Sequence, residues 1–401
     1  MTDGTQAWGE SSVADEFHVQ LGKRLDAAVN SGELKQCINN RGVRWGHVLA
    51  SESVLAPLTP RDIRDLRLIS GDILVCEGGE IGRASVWNDE IPEAYFLNTL
   101  HRLRSKGKYE PRLLVALLER WSKTGELSAL VGKSSLAHLT KENLLRVRVP
   151  VPPLAEQKRI VESLLVADQL ITTLERLIAK KQAIRHGMMQ QLLTGRIRLP
   201  GYSTPWRHLG ILDIVSIRSG QVDPKCSEYR DLPLIAPDHV ESATGRILRT
   251  ETARAQGAIS GKYLVAPGDV IYSKIRPSLQ KVVQVDFPAL CSADMYPLTT
   301  KPGTDGAFVL YTLLSERFTR FATSVSARSG IPKINRTELA GFTLQVPEFS
   351  EQRAIASALN AIDSPIFALE KRLNKQKSIK RGMLQHLLSN RASLSIAGET
   401  A

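Results

Sequence analysis

The chain is poor in sulfur and in rings. Its 401 residues include four cysteines (Cys37, Cys76, Cys226 and Cys291) and only 5% aromatic residues. The cysteines are scattered with no CxxC pair, which argues against a zinc site or a disulfide framework and for a reducing cytoplasm. No apolar run approaches the roughly 20 residues needed to cross a bilayer. The opening, MTDGTQAWGESSVADEF, is polar and acidic, without the cationic-then-apolar order of a signal peptide. Enzyme signatures are also missing. The only Pro-Pro is in VPPL, so the Asn/Asp-Pro-Pro-aromatic grip of an amino-methyltransferase is absent. GAISGKY mimics a phosphate-binding loop, but is one residue short between its glycines and lacks the magnesium-binding hydroxyl. The eight histidines are dispersed, and no His/Cys/carboxylate cluster has ligand spacing. These absences lead us to expect no catalytic site, no metal and no cofactor.

What is present is positive charge and a repeat. The formal charge is +12, which suits a polyanionic partner, although many soluble proteins are basic without one. RHGMMQQLL at 185–193 returns as KRGMLQHLL at 380–388, an interval of 195 residues. Around it, residues 156–196 match 351–391 without a gap, with 16 of 41 positions identical. Roughly two or three would match by chance.

Each copy reads as a long helix. Ile160, Leu164, Ala167, Ile171, Leu174 and Ile178 alternate steps of four and three, as in a coiled-coil seam. Ile355, Leu359, Ile362, Ile366, Leu369 and Leu373 repeat it. Both copies turn polar at the next two seam positions (Lys181 and Arg185; Gln376 and Lys380), then recover at Met188/Met383 and Leu192/Leu387. Prolines 152, 153 and 347 precede the helices and Ser350 is a candidate cap for the second; Pro365 leaves two readings of that helix open, continuous, or broken or kinked there with Asp363 or Ser364 as a fresh cap. Like seams in one chain most simply bury each other about a twofold axis, hence antiparallel; the alternative is that each helix packs on its own neighbouring domain. The helices carry +8 of the +12, largely towards their C-terminal halves, where cations complement the helix dipole.

The segments between the helices are bodies of short strands and helices. In the first, GDILVCEGG and ASVW read as strands, PRLLVALLERW as a helix and LLRVRVPVP as an exit strand. In the second, GDVIYSK, KVVQVD, GAFVLYTLLSERFTRF and GFTLQVP come in the same order. Gly71–Asp72 answers Gly268–Asp269, and SSLAHLTKENL answers SGIPKINRTEL; elsewhere the bodies have diverged.

A body ending SGIPKINRTELAGFTLQVP, then EFSEQRAIASALNAID, then a helix finishing KRGMLQHLLS closely resembles the specificity subunit of type I restriction–modification systems. VPPLAEQKRIVESLLVAD and GMMQQLLTG give the first half the same frame, so the resemblance runs from about residue 35 to 391. It implies an α+β chain of two α/β target-recognition domains separated by two long helices, which form an antiparallel coiled coil with a pseudo-twofold internal repeat. The implied boundaries are domain one at 1–153, helix one at 154–198, domain two at 199–347, helix two at 348–391 and a tail at 392–401. It also implies that each domain reads half of a split site in double-stranded DNA. Two methyltransferase subunits would dock around the helices, with restriction subunits in the full complex and no membrane. The family's opening phrase, Trp-x-x-x-x-Leu-Gly, is met by WRHLGILDI in the second body. In the first, Trp8 and Leu21–Gly22 stand apart, so residues 1–34 are not placed. Two other readings are an adaptor without DNA reading and an enzyme with an undetected nuclease or transferase centre.

Base reading needs fork-shaped donors and amides on loops, and phosphate contacts need cations and hydroxyls. The candidates in the second body are Lys274, Arg276 and Lys281, with Arg328, Lys333, Asn335 and Arg336. In the first they are Arg83 in EGGEIGR, Arg102 and Arg104 in HRLRSKGK, and Lys133, Ser134, His138 and Lys141. The helix-pair interface is expected at Ile160, Leu164, Ile171, Leu174, Ile178, Met188, Leu192, Ile355, Leu359, Ile366, Leu369, Leu373, Met383 and Leu387.

Overall fold

A computed structural model describes residues 8–25, 31–130, 138–326 and 330–389. The chain divides into two compact units, residues 1–173 with 372–401, and residues 174–371. The helices Leu154–Leu192 and Phe349–Ser389 therefore contribute to both units.

In the first unit, an antiparallel sheet runs in the order Phe17–Leu21, Leu100–Ser105, Ile73–Cys76, Ala84–Val86. Helix Pro111–Thr124 buries Leu113, Leu114, Leu117, Leu118 and Trp121 in the core beside it. A second sheet joins Val54–Leu58, Glu33–Ile38 and Tyr95–Phe96. In the second unit the main sheet has the same order: Val215–Ile217, Met295–Thr300, Val270–Ser273, Val282–Gln284. GAFVLYTLLSERFTRF, expected as one helix, forms two, Gly306–Leu314 and Glu316–Ser326. They meet at Ser315, whose backbone is extended and whose hydroxyl caps Phe318 N at 3.2 Å.

The unplaced opening finds its position through strand pairing. Gly9–Ser12 pairs with Arg148–Val151, as Arg207–Gly210 pairs with Thr343–Val346. Val13 N donates to Val147 O at 2.9 Å, as Ile211 N does to Phe342 O at 2.8 Å. Trp8 therefore answers Trp206, and Ser12, not Gly22, stands where the second body has Gly210. A Ser12–Asp15 capping box replaces glycine there, which is why the phrase was not legible.

The repeated Glu-Gln acquires a physical reason. Gln157 is fully buried; its amide donates to Pro152 O at 2.8 Å and accepts from Glu110 N at 2.7 Å. Gln352 is buried likewise, donating to Pro347 O and accepting from Asp305 N, both at 2.9 Å. One side chain thus ties a body's exit strand, its main helix and the start of a long helix.

The expected seam positions are all buried or half-buried where their side chains are described. Ile160, Leu164, Leu174, Ile178, Leu192, Ile355, Leu359 and Ile366 are buried; Ile171, Met188, Leu369, Leu373 and Met383 are half-buried. The Leu387 side chain lies outside the described residues. Much of this burial is against the bodies: Ile160 and Leu164 join the first body's core, and Leu192, Ile355 and Leu359 the second's. Both ways of packing are therefore in use. Within the first unit the polar seam residue Lys380 pairs with Asp168 at 2.5 Å; within the second, Arg185 pairs with Asp363 at 2.5 Å. These pairs occupy repeat-equivalent positions. In the second unit Gln182 also donates to Glu370 at 3.3 Å, and in the first Leu384 packs on the cluster holding Ile160 and Leu164, so in each unit a step forward on one helix is a step back on the other and the segments run antiparallel.

Pro365 breaks nothing, and Ser350 is not the cap. The second helix is continuous from Phe349 to Ser389, with Ser350 in its first turn and Pro365 on its exposed side. The proline removes one intrahelical donor, which flanking turns and packing outweigh.

Candidate nucleic-acid interface

In the second body the two candidate loops come together. Ile275 and Lys333 form an antiparallel bridge. Arg276 N donates to Pro332 O at 2.8 Å, and Ile334 N to Lys274 O at 2.9 Å. Tyr296 lies beneath them: its ring centroid is 5.5 Å from the Lys274 ammonium and 5.9 Å from the Arg336 guanidinium, and its hydroxyl donates to Ile334 O at 3.4 Å. Burial raises the pKa of that hydroxyl, so Tyr296 stays neutral. Arg276, Lys333 and Arg336 are exposed and Lys274 is half-buried. Arg276 has φ of +47°, a left-handed backbone that costs a non-glycine residue about 1–2 kcal/mol. Such strain persists only where the surroundings over-determine it. Four cations on one braced surface can neutralise phosphates or fork onto a base edge.

Asn335 and Lys281 have other duties. The Asn335 side chain caps helix Arg336–Ala340 by accepting from Glu338 N at 2.8 Å, which occupies its oxygen. Lys281 turns inward, with Nζ donating to Pro237 O at 2.6 Å and Val240 O at 2.9 Å. Its counterpart is Arg83, donating to Asn40 O at 2.7 Å. Each closes the base of its loop, since Cys76 N donates to Arg83 O and Ser273 N to Lys281 O. Lys281→Ala should therefore lower stability by about 1–3 kcal/mol by stranding two carbonyls, and leave base preference unchanged. Thermal melting beside a site-preference assay separates the two.

Two other first-body candidates are also structural. Arg102 is buried and donates to Asp65 O at 3.1 Å, to Arg67 O at 3.0 Å and to Gln20. Burial lowers its pKa. Arg104 grips the buried Asp72 carboxylate through Nε and Nη2, both at 2.7 Å, and that bond raises its pKa. Asp72 also accepts from Ile69 N at 3.0 Å. The same place in the second body holds Asp269, which accepts from Arg218 at 2.7 Å, Thr299 at 2.7 Å and Ala266 N at 2.9 Å. The repeated Gly-Asp is thus a brace. Sequence reasoning missed Arg218, Thr299 and Tyr296, although the duplicated Gly-Asp marked the spot.

Of the remaining candidates, His138 and Lys141 are exposed, with Lys141 opening helix Lys141–Arg146. Leu139, between them, donates its N–H to Glu77 O at 2.8 Å and accepts at its carbonyl from His101 Nε2 at 2.9 Å. Burial lowers the His101 pKa, so the ring is neutral near pH 7. Lys133, Ser134 and Arg328 lie outside the described residues.

Among the described residues no group of His, Cys, Asp and Glu could hold a metal ion, and no helix is long and apolar enough to cross a membrane. A cleft of about 1120 Å³ in the second unit is lined by Arg185, Arg246, Tyr311, Asp363 and Glu370. Among the charges lining it, Arg185 pairs with Asp363 at 2.5 Å and Arg246 with Glu370 at 2.6 Å. Cys37, Cys76 and Cys291 are buried, and Cys226 is exposed and free.

Comparison with known proteins places this architecture. The chain is 25% identical over 317 residues to the type I restriction enzyme EcoDI specificity subunit of Escherichia coli, covering 70% of each. Its fold is similar to the crystal structure of the S subunit of a type I restriction–modification system from M. genitalium, with a TM-score of 0.62 at 14% identity, covering 97% of this chain and 98% of that one. A chain from a structure describing complex assembly and conformational transition of the type I restriction–modification system matches with a TM-score of 0.55 at 18% identity, covering 94% and 97%. Residues 57–185 and 205–380 match the family described as the type I restriction modification DNA specificity domain. Those two stretches take in more than half of the chain, including most of both glutamine-clamped helices, and the chain belongs to the DNA specificity subunits of type I restriction–modification systems.

Proposed function

We propose that each body reads one half of a bipartite site in double-stranded DNA, and that the long helices set the gap and dock two methyltransferase subunits. Restriction subunits join in the full complex. The chain itself is non-catalytic; chemistry belongs to its partners. What carries the reading is the contrast between the bodies: frames that share the order of their main sheet and the glutamine clamp, and loops on those frames that differ in charge and shape. A structural duplication alone requires no such divergence; two readers of different sequences do.

In the second body the reading surface is Lys274, Arg276, Lys333 and Arg336. Arg336→Ala and Lys333→Ala should each weaken use of one half-site by roughly 1–3 kcal/mol if the residue touches a base edge. The measurement is methylation, by the complex reconstituted with its methyltransferase subunit, of a library randomised in both halves. Equal loss at both halves contradicts independent readers, and uniform loss across all sequences demotes a residue to phosphate contact. The purified chain with methyl donor alone should leave DNA unmodified; activity there would restore the enzyme reading. Failure of the reconstituted complex to shift duplex DNA in a salt-dependent way would favour an adaptor.

A further inference from the structure

Residues 77 and 274 occupy the same place in the two bodies. Each comes directly after the equivalent core strand, Ile73–Cys76 or Val270–Ser273. Glu77 N donates to Thr99 O at 3.0 Å, and Lys274 N to Asp294 O at 2.9 Å. Glu77 O accepts from Leu139 N at 2.8 Å, and Lys274 O from Ile334 N at 2.9 Å. The bond under each bridge is also shared, from His101 to Leu139 O and from Tyr296 to Ile334 O. Two residues further on, Gly79 and Arg276 both have left-handed backbones, with φ of +80° and +47°. His138 then answers Lys333, and Lys141 answers Arg336, each opening a capped helix.

On this common frame the charge at one place is reversed, Glu77 against Lys274. The second body presents Lys274, Arg276, Lys333 and Arg336. The first carries Glu77, half-buried as Lys274 is, with Gly79, His138 and Lys141 exposed and Glu80 accepting from Trp45 Nε1 at 2.6 Å. A carboxylate facing a duplex is repelled by phosphates, so it gains nothing from backbone contact. Only the exocyclic amino groups of the major groove, N4 of cytosine and N6 of adenine, offer it a donor, whereas cations match the O6/N7 acceptor edge of guanine.

We infer that the two bodies read opposite hydrogen-bonding chemistries, Glu77 accepting from a cytosine or adenine amino group where Lys274 donates to a guanine edge. The inference rests on the DNA-reading role proposed above and adds the base chemistry of each half. Glu77 is then a specificity-determining residue that no count of basic side chains would find.

The test uses the complex with its methyltransferase subunit and a library randomised in both halves. Wild type should prefer an amino-bearing base at one position of the first half by about 10-fold or more, within the range of one good base contact. Glu77→Ala should flatten that position alone, and Glu77→Lys should turn its preference towards guanine. Lys274→Glu should shift one position of the second half the other way. A probe that needs no variant to fold is a site in which the preferred base lacks its amino group, pyrimidin-2-one for cytosine or purine for adenine. Wild type should lose about 10-fold on it, and Glu77→Ala should lose nothing more. An unchanged preference in Glu77→Ala, or wild-type indifference to the amino-less base, overturns the inference. If Arg336→Ala still disturbs only the second half, the DNA-reading role stands without it; if both halves ignore every substitution, that role falls.

Discussion

Arg104→Ala should destabilise the first unit by about 3 kcal/mol, more than an ordinary surface arginine would. Asp72 is 1% exposed and takes two charge-assisted bonds from Arg104 and one from a backbone N–H. Without the guanidinium a buried carboxylate keeps one donor, and stranding one partner of a buried pair costs more than the pair contributes. Arg218→Ala, at the matching place, should cost less, about 1–2 kcal/mol, because Thr299 and Ala266 N still serve Asp269. Adding Asp72→Asn to Arg104→Ala removes the stranded charge and should recover part of the loss. Four of the five tryptophans (Trp8, Trp45, Trp87 and Trp121) lie in the first unit and only Trp206 in the second, so urea unfolding tracked by fluorescence reports chiefly the first. At about 2–4 °C per kcal/mol for a unit of this size, the melting shift should be roughly 6–12 °C. An unchanged midpoint, with loss of DNA binding instead, would return Arg104 to the reading surface.

The sequence made the frame legible and left its use obscure, for reasons that lie in particular residues. Seam residues such as Leu164 and Leu359 announce themselves by period, because burial on one face fixes spacing. The recurrence of Glu-Gln announced importance without mechanism; that Gln157 and Gln352 clamp two carbonyls and a backbone N–H needs coordinates. Four basic candidates, Arg83, Arg102, Arg104 and Lys281, spend their donors on protein groups. A cation's sequence neighbourhood does not reveal whether a carbonyl or a buried carboxylate waits within reach, and long side chains turn inward when one does. The same blindness hid Glu77, since a search for positive charge passes over a carboxylate. The segment after Trp8 was left unplaced because a Ser–Asp cap stands where glycine was expected, and it still folds the same way.

Lengthening both long helices should lengthen the preferred gap between half-sites. Thr194–Arg196, just past the first long helix, looks in the sequence like the natural place to extend a spacer. The structure moves the choice, because Met189, Leu192 and Leu193 are buried in the second unit's core and Gly195, at φ of +68°, sits against Trp206. Extra residues there should disrupt that core. The tolerant places are inside the helices near where the units divide, after Thr173 and, on the facing turn, after Asn374. That facing turn is fixed by Asp168 opposite Lys380 and Asp363 opposite Arg185. Four residues added to both helices lengthen each by about 6 Å and rotate the downstream segment by about 40°, near the twist of one base pair. A four-residue insertion is also a stutter that coiled coils absorb by local unwinding. If the helices set the gap, the doubly inserted protein keeps both half-site sequences and prefers a gap one or two base pairs longer, at roughly 3.4 Å per pair. Inserting into one helix alone slides one seam past the other, sets Asp168–Lys380 against Arg185–Asp363, and should abolish modification at every gap. Methylation of a library of sites with varied gaps reads both results. Retained activity at the original gap in the double insertion would mean that something other than these helices measures the distance between the half-sites.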